Sequence, residues 1–221
     1  MAFEYSCFIS YRHNQNEATF YNNLRDIIQS EAMLATNKNK LFFDETAIKY
    51  GEEWDDKIYD GVSGSYFFIP IYYPNYLHAD NIWCARELMH ALKVQDVILS
   101  NLTDDEKKKF FYIIPFIYRG KPESLPKGMS SKKALLIRDF EYLIIKKEWS
   151  PELVKLKQDF CDTLNECWSI LDNHSNIDFQ QLIQAIPKPT DDEVKNWIKE
   201  QKEKQTKIEA EHKPLLVKKD N

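Results

Sequence analysis

The sequence predicts an α/β fold in which a doubly wound parallel sheet lies between helical layers. Three observations lead there. Runs of apolar and aromatic residues are nearly continuous instead of alternating, the pattern of strands covered on both faces. Segments with helical spacing separate those runs, so β and α alternate with short links. The chain has 221 residues, 43% hydrophobic and 14% aromatic, enough apolar material for one sizeable core, which favours one domain plus an extension.

The strands are read in order at residues 4–10 (EYSCFIS), 40–44 (KLFFD), 66–72 (YFFIPIY) and 110–118 (FFYIIPFIY), with a fifth at 134–140 (ALLIRDF). Pro70 and Pro115 each remove a ladder donor, which places them near strand ends or at an irregularity. Between the strands, residues 17–31 carry Phe20, Leu24, Ile27 and Ile28 on one helical face. Residues 54–60 form a short helix after Gly51, and residues 81–99 carry Trp83, Leu88, Ala91, Leu92 and Val94 at three- and four-residue steps. The helix over 152–171 begins after Ser150 and Pro151, a suitable cap and first-turn residue.

The last third changes character. Residues 173–186 allow one more short helix with Phe179, Leu182, Ile183 and Ile186, closed by Pro187 and Pro189. Residues 190–212 are mostly Lys, Glu and Gln, and read as a solvated helix or frayed polar tail. The alternative is a partner-binding helix using Val194, Trp197 and Ile198. The division expected is a domain over 1–172 and a C-terminal helical extension over 173–221.

Composition excludes several functions. A net charge of −5, from 30 basic and 35 acidic residues, is no footprint for nucleic acid. No apolar run approaches the roughly 20 residues that span a bilayer, and residues 1–4 lack the features of a secretory signal. Cys7, Cys84, Cys161 and Cys167 form no Cys-x-x-Cys pair, which fits reduced thiols in a cytoplasmic protein. The five histidines show no ligand spacing, so no metal is expected. Five glycines form no phosphate-cradling motif.

In an open parallel sheet, ligands bind beyond the carboxyl ends of the strands where strand order reverses. With a flavodoxin-like order, that crevice lies between the loops after the first and third strands. The first loop holds Ser10, Tyr11, Arg12 and His13, the third runs from Tyr73 to Leu77, and the second strand adds Asp44 and Glu45. Trp83 and Glu87 lie one helical turn apart on one face, about 6 Å along the axis. A flat ring beside a carboxylate suits a ligand with a stackable base and a hydroxylated sugar. By spacing alone, packing for Trp83 and solvation for Glu87 are the commoner roles.

Five pieces in register carry a resemblance. They are Phe8-Ile9-Ser10-Tyr11-Arg12, Leu41-Phe42-Phe43-Asp44, Gly51-Glu52-Glu53-Trp54, the pair Ile69-Pro70-Ile71 and Pro74-Asn75-Tyr76-Leu77, and Trp83-Cys84-Ala85-Arg86-Glu87-Leu88. With these the chain resembles the TIR (Toll/interleukin-receptor) domain family, especially its bacterial NAD⁺-cleaving members, to about residue 172. The resemblance implies a flavodoxin-like five-stranded parallel sheet with helices on both faces. It makes residues 45–53 an association loop for TIR–TIR self-association.

It also implies NAD⁺ as substrate, cleaved at the nicotinamide–ribose bond. Glu87 falls on the catalytic glutamate and Trp83 on an aromatic lining the pocket, while Ser10, Tyr11, Arg12 and Asp44 line or support the cleft. Arg12 and Asp44 have a structural ion pair as their alternative role. The implied setting is anti-phage defence, with a sensor or effector supplied as a separate protein. A non-catalytic adaptor that works by TIR–TIR association is the competing expectation, since the fold serves enzymes and scaffolds alike.

Overall fold

The computed structural model describes residues 3–12, 17–42, 54–78, 82–129 and 133–211. In chain order the elements are β1 (Phe8–Ser10), α1 (Ala18–Thr36), α2 (Trp54–Ser63), β2 (Phe68–Tyr72), α3 (Trp83–Ser100) and the single turn α4 (Asp104–Lys107). There follow β3 (Phe116–Ile117), β4 (Leu135–Leu136), α5 (Glu141–Lys146), α6 (Pro151–Asn173), α7 (Phe179–Gln184) and α8 (Asp191–Glu211). Short 3₁₀ turns at Pro122–Ser124 and Arg138–Phe140 flank β4.

Among the described residues the sheet has four strands, all parallel, in the order β1-β2-β3-β4. The run read as a second strand contributes one parallel bridge, Phe42 to Phe8. Phe42 donates to the Cys7 carbonyl at 2.9 Å and accepts from the Ile9 amide at 3.3 Å. Residues 43 and 44 of that run lie outside the described residues. The chain therefore leaves β1 outward to Phe42 and returns on the other side as β2. Strand order reverses between β1 and β2, where a flavodoxin-like sheet has its crevice.

The strands are shorter than their apolar runs, and the two prolines account for part of this. Phe68 donates to the Tyr112 carbonyl and accepts from the Ile114 amide, so alternate residues of β2 from Phe68 face β3. Pro70 sits on that side, in the middle of β2 and not near its end. Its missing donor leaves the ladder open between the Phe68–Ile113 bridge and the Ile71–Phe116 pairing. Pro115 immediately precedes β3, and its carbonyl accepts from Leu135 at 2.9 Å. Its missing donor thus faces β4 and helps to keep that pairing short.

Helices cover the sheet as the apolar spacing predicts. In α1, Phe20, Leu24 and Ile28 are buried, and the helix packs against α6. It ends on Asn37 in the left-handed conformation, whose amide returns to Met33 at 2.9 Å. Helix α6 starts on Ser150, which accepts from the Leu153 amide at 3.2 Å, with Pro151 in the first turn. Gly61 lets α2 meet the Phe42 ring, since a Cβ there would lie 2.6 Å from it.

The C-terminal third departs from a frayed tail. Residues 191–211 are helical, and Val194 and Ile198 are fully buried in the same core as the sheet, with Trp197 half-buried against it. Phe179 and Ile183 of α7 join that core too. Each such buried aliphatic side chain stabilises the packed state by about 1.5–3 kcal/mol. The covered element is α3, which packs against α7 and α8 as well as α2.

Candidate active site

Ser10 ends β1, opposite Pro70 in β2, so its side chain stands at the carboxyl edge of the sheet at the reversal point. Tyr76 follows β2 through a tight turn closed by its amide on the Tyr73 carbonyl at 2.8 Å. Glu87 lies one turn into α3. These three side chains meet. Ser10 Oγ donates to Glu87 Oε2 at 2.5 Å and lies 2.5 Å from the Tyr76 hydroxyl. All are buried, Ser10 and Tyr76 at 1% exposure and Glu87 at 5%.

The direction of this chain follows from counting hydrogens. A serine hydroxyl has one proton, and Ser10 spends it on the carboxylate, so Tyr76 donates to Ser10. Burial, with Cys84 and Glu87 adding to it, raises the Tyr76 pKa well above the ordinary tyrosine value. Tyr76 accordingly stays a donor. The carboxylate thus takes a charge-assisted hydrogen bond from a hydroxyl that is itself polarised, which orients Glu87 at the sheet edge.

Trp83 is the first residue of α3, half-buried, one turn before Glu87. The Arg86 guanidinium lies over its ring, 4.8 Å from the centroid, and also pairs with Asp191 in the first turn of α8. Arg12 is half-buried beside Tyr73; burial, with Cys84 adding to it, raises the Tyr73 pKa, and the Arg12 charge offsets part of that rise. Tyr11 turns into the core, 7% exposed and tilted against Tyr21 with centroids 4.9 Å apart. Asp44 lies outside the described residues.

The structure therefore brings Ser10 and Glu87 into contact, leaves Trp83 one helical turn before Glu87, sets Arg12 beside Tyr73, and packs the Tyr11 ring against Tyr21. It adds two residues that the sequence reading did not single out for the site. Tyr76 was visible only as part of the motif after the third run, and Arg86 only as the neighbour of Glu87. Among the described residues no three His, Cys, Asp or Glu side chains converge as a metal centre. Among them, too, no helix is long and apolar enough to cross a membrane. None of the four cysteines forms a disulfide, and Cys7, Cys84 and Cys167 are buried. A cavity of about 250 Å³ lined by Asn23, Ile27, Leu143 and Trp149, among others, is separate from the Glu87 site.

Fold and site together define an open parallel α/β domain with a buried acid at its reversal point. The TIR domain family model matches residues 4–102, a stretch that contains Ser10, Tyr76, Trp83, Arg86 and Glu87. No curated protein matches the chain. Seven chains of solved structures match. One is the TIR domains of the activated Roq1 resistosome directly recognizing the pathogen effector XopQ, with 19% identity, a TM-score of 0.39 and coverage of 80% of this chain and 94% of that one.

Proposed function

We propose that the chain is a TIR-domain NAD⁺ glycohydrolase or cyclase with Glu87 as its catalytic carboxylate, active when TIR domains self-associate. The observation that carries this reading is the Tyr76–Ser10–Glu87 hydrogen-bond chain at the carboxyl edge of the sheet. It supports a carboxylate held in one orientation, with a half-buried indole one turn away.

The chemistry asks little more of the protein. Cleavage breaks the bond between ribose C1′ and the pyridinium nitrogen, and the electron pair leaves with nicotinamide, which departs neutral. No general acid has to protonate it. The sugar passes through an oxocarbenium-like transition state, and a fixed carboxylate favours the positive charge that develops there. Water adding at C1′, with loss of a proton, gives ADP-ribose; attack by another group of the same nucleotide gives a cyclic isomer.

Glu87 is 5% exposed in the single chain, so a ribose reaches it only after a rearrangement. That supports switching by assembly. It equally favours the second reading, an adaptor in which Glu87 is a structural acid and TIR–TIR contact is the whole function. In the enzyme reading, residues 1–172 carry the activity, the setting is defence against phage, and a separate sensor or effector completes the response.

The test is nicotinamide release from NAD⁺ by the full chain, dilute and self-associated, for wild type and Glu87→Ala. Release by wild type in the associated state and none by the variant supports the enzyme. Equal release by both removes Glu87 from catalysis, and no release in either state supports the adaptor.

A further inference from the structure

Arg86 is a buried cation beside the proposed catalytic acid, and its carboxylate partner comes from the far end of the chain. It is 5% exposed, and a guanidinium so buried is costly unless it is paired. Asp191 supplies a charge from the first turn of α8. The place of Asp191 is itself fixed. Thr190 and Glu193 cap the helix start reciprocally, the Thr190 amide donating to Glu193 Oε2 at 2.7 Å and the Glu193 amide to Thr190 Oγ1 at 3.3 Å.

The segment around Asp191 is fastened along α2 and α3. Tyr59 donates to the Pro189 carbonyl at 3.3 Å and Lys93 to the Pro187 carbonyl at 3.1 Å. Lys188 pairs with Asp56 and lies over the Tyr59 ring. Further along α8, Val194 and Ile198 are buried, and Gln201 accepts from the Lys127 amide at 3.0 Å. Asp191 is therefore anchored on both sides in sequence.

We propose that Arg86, braced by Asp191, is a positioning residue that holds the Trp83 ring as the stacking wall beside Glu87. The claim rests on the NAD⁺ reading for what the wall stacks against. The guanidinium over the indole face is a cation–π contact, and the Asp191 carboxylate restricts the rotamers from which Arg86 can make it. Trp83, Arg86 and Glu87 all lie within the matched residues 4–102, but Asp191 does not. The C-terminal helix is on this account a structural part of the site, and its displacement would release the wall.

The test uses the full chain with Asp191→Asn, Asp191→Glu and Lys188→Ala. Two readouts are taken: the indole N–H resonance of Trp83, assigned through Trp83→Phe, and KM and kcat for NAD⁺. Asp191→Asn is expected to shift the Trp83 resonance and to raise KM roughly tenfold with a smaller change in kcat. Asp191→Glu is expected to restore both. Lys188→Ala removes the Asp56 pair and the contact over the Tyr59 ring but keeps the Thr190–Glu193 cap and the bonds from Tyr59 and Lys93, and is expected to leave both as in wild type.

An unmoved Trp83 resonance in Asp191→Asn overturns the proposal, as does an equal KM rise in Lys188→Ala. Absence of nicotinamide release from wild type rejects the NAD⁺ reading instead. The resonance then decides the brace by itself, a shift supporting it and no shift overturning it.

Discussion

Two sides of helix α3 bury ionisable groups in different ways. Toward the sheet, Glu87 is held by the Ser10 hydroxyl, which Tyr76 supports in turn. Toward the C-terminal segment, Arg86 meets a full opposite charge on Asp191 and an aromatic face on Trp83. One turn along, His90 is 2% exposed and reaches Ser63 through Nε2 at 2.8 Å. A hydroxyl donor orients a carboxylate and leaves its negative charge in place, whereas the Arg86–Asp191 pair sets one full charge against another. On the proposed reading Glu87 acts in the chemistry directly, and the Asp191 pair serves it only through Arg86 and Trp83.

The largest expected effect breaks the comparison at its chemical end. Glu87→Gln keeps the shape and a hydrogen-bonding oxygen but removes the charge, and nicotinamide release is expected to fall by roughly 10²–10³-fold. A variant with wild-type turnover would make the sheet side structural as well.

The next tests the holding side through pH. Burial, with Lys93 and Lys188 adding to it, pushes the His90 pKa down from 6.5 to about 4. Between those values the unfolded chain binds the proton and the folded chain does not. Stability is therefore full above about pH 6.5 and falls as pH drops toward 4, by about 3 kcal/mol from this group. Denaturant titrations at pH 7 and 4.5 should show a smaller difference for His90→Gln than for wild type; an unchanged difference would exclude His90 as its source.

Smaller effects sharpen the account of the hydroxyl chain. Ser10→Ala removes the donor to Glu87 and leaves Tyr76 without that acceptor, and kcat is expected to drop roughly tenfold. Tyr76→Phe removes only the outer link and should cost kcat about two- to fivefold. A larger loss for Tyr76→Phe than for Ser10→Ala would reverse the order of donation inferred from hydrogen counting.

The fold was largely legible because its signals are local. Phe20, Leu24 and Ile28 mark one face of α1, Ser150 and Pro151 mark the start of α6, and the long apolar runs mark a sheet buried on both faces. Strand length was not legible, because Pro70 and Pro115 interrupt ladders whose other half lies elsewhere in the chain. Residues 190–212 misled through composition. Their many charges read as solvated, while Val194 and Ile198, four residues apart, suffice to bury one narrow stripe.

The candidate acid was legible for the same local reason. Trp83 and Glu87 share a helical face by spacing, and Ser10 ends a strand by its place in the first run. What surrounds them was not. Ser10 and Glu87 are 77 residues apart, Ser10 and Tyr76 are 66, and Arg86 and Asp191 are 105. Sequence by itself determined where helices and strands form and which faces are apolar, since those depend on neighbours within a few residues. Only the tertiary structure decided which hydroxyl meets the acid and which carboxylate meets the arginine, because a hydrogen bond or an ion pair depends on distance in space and not on separation along the chain.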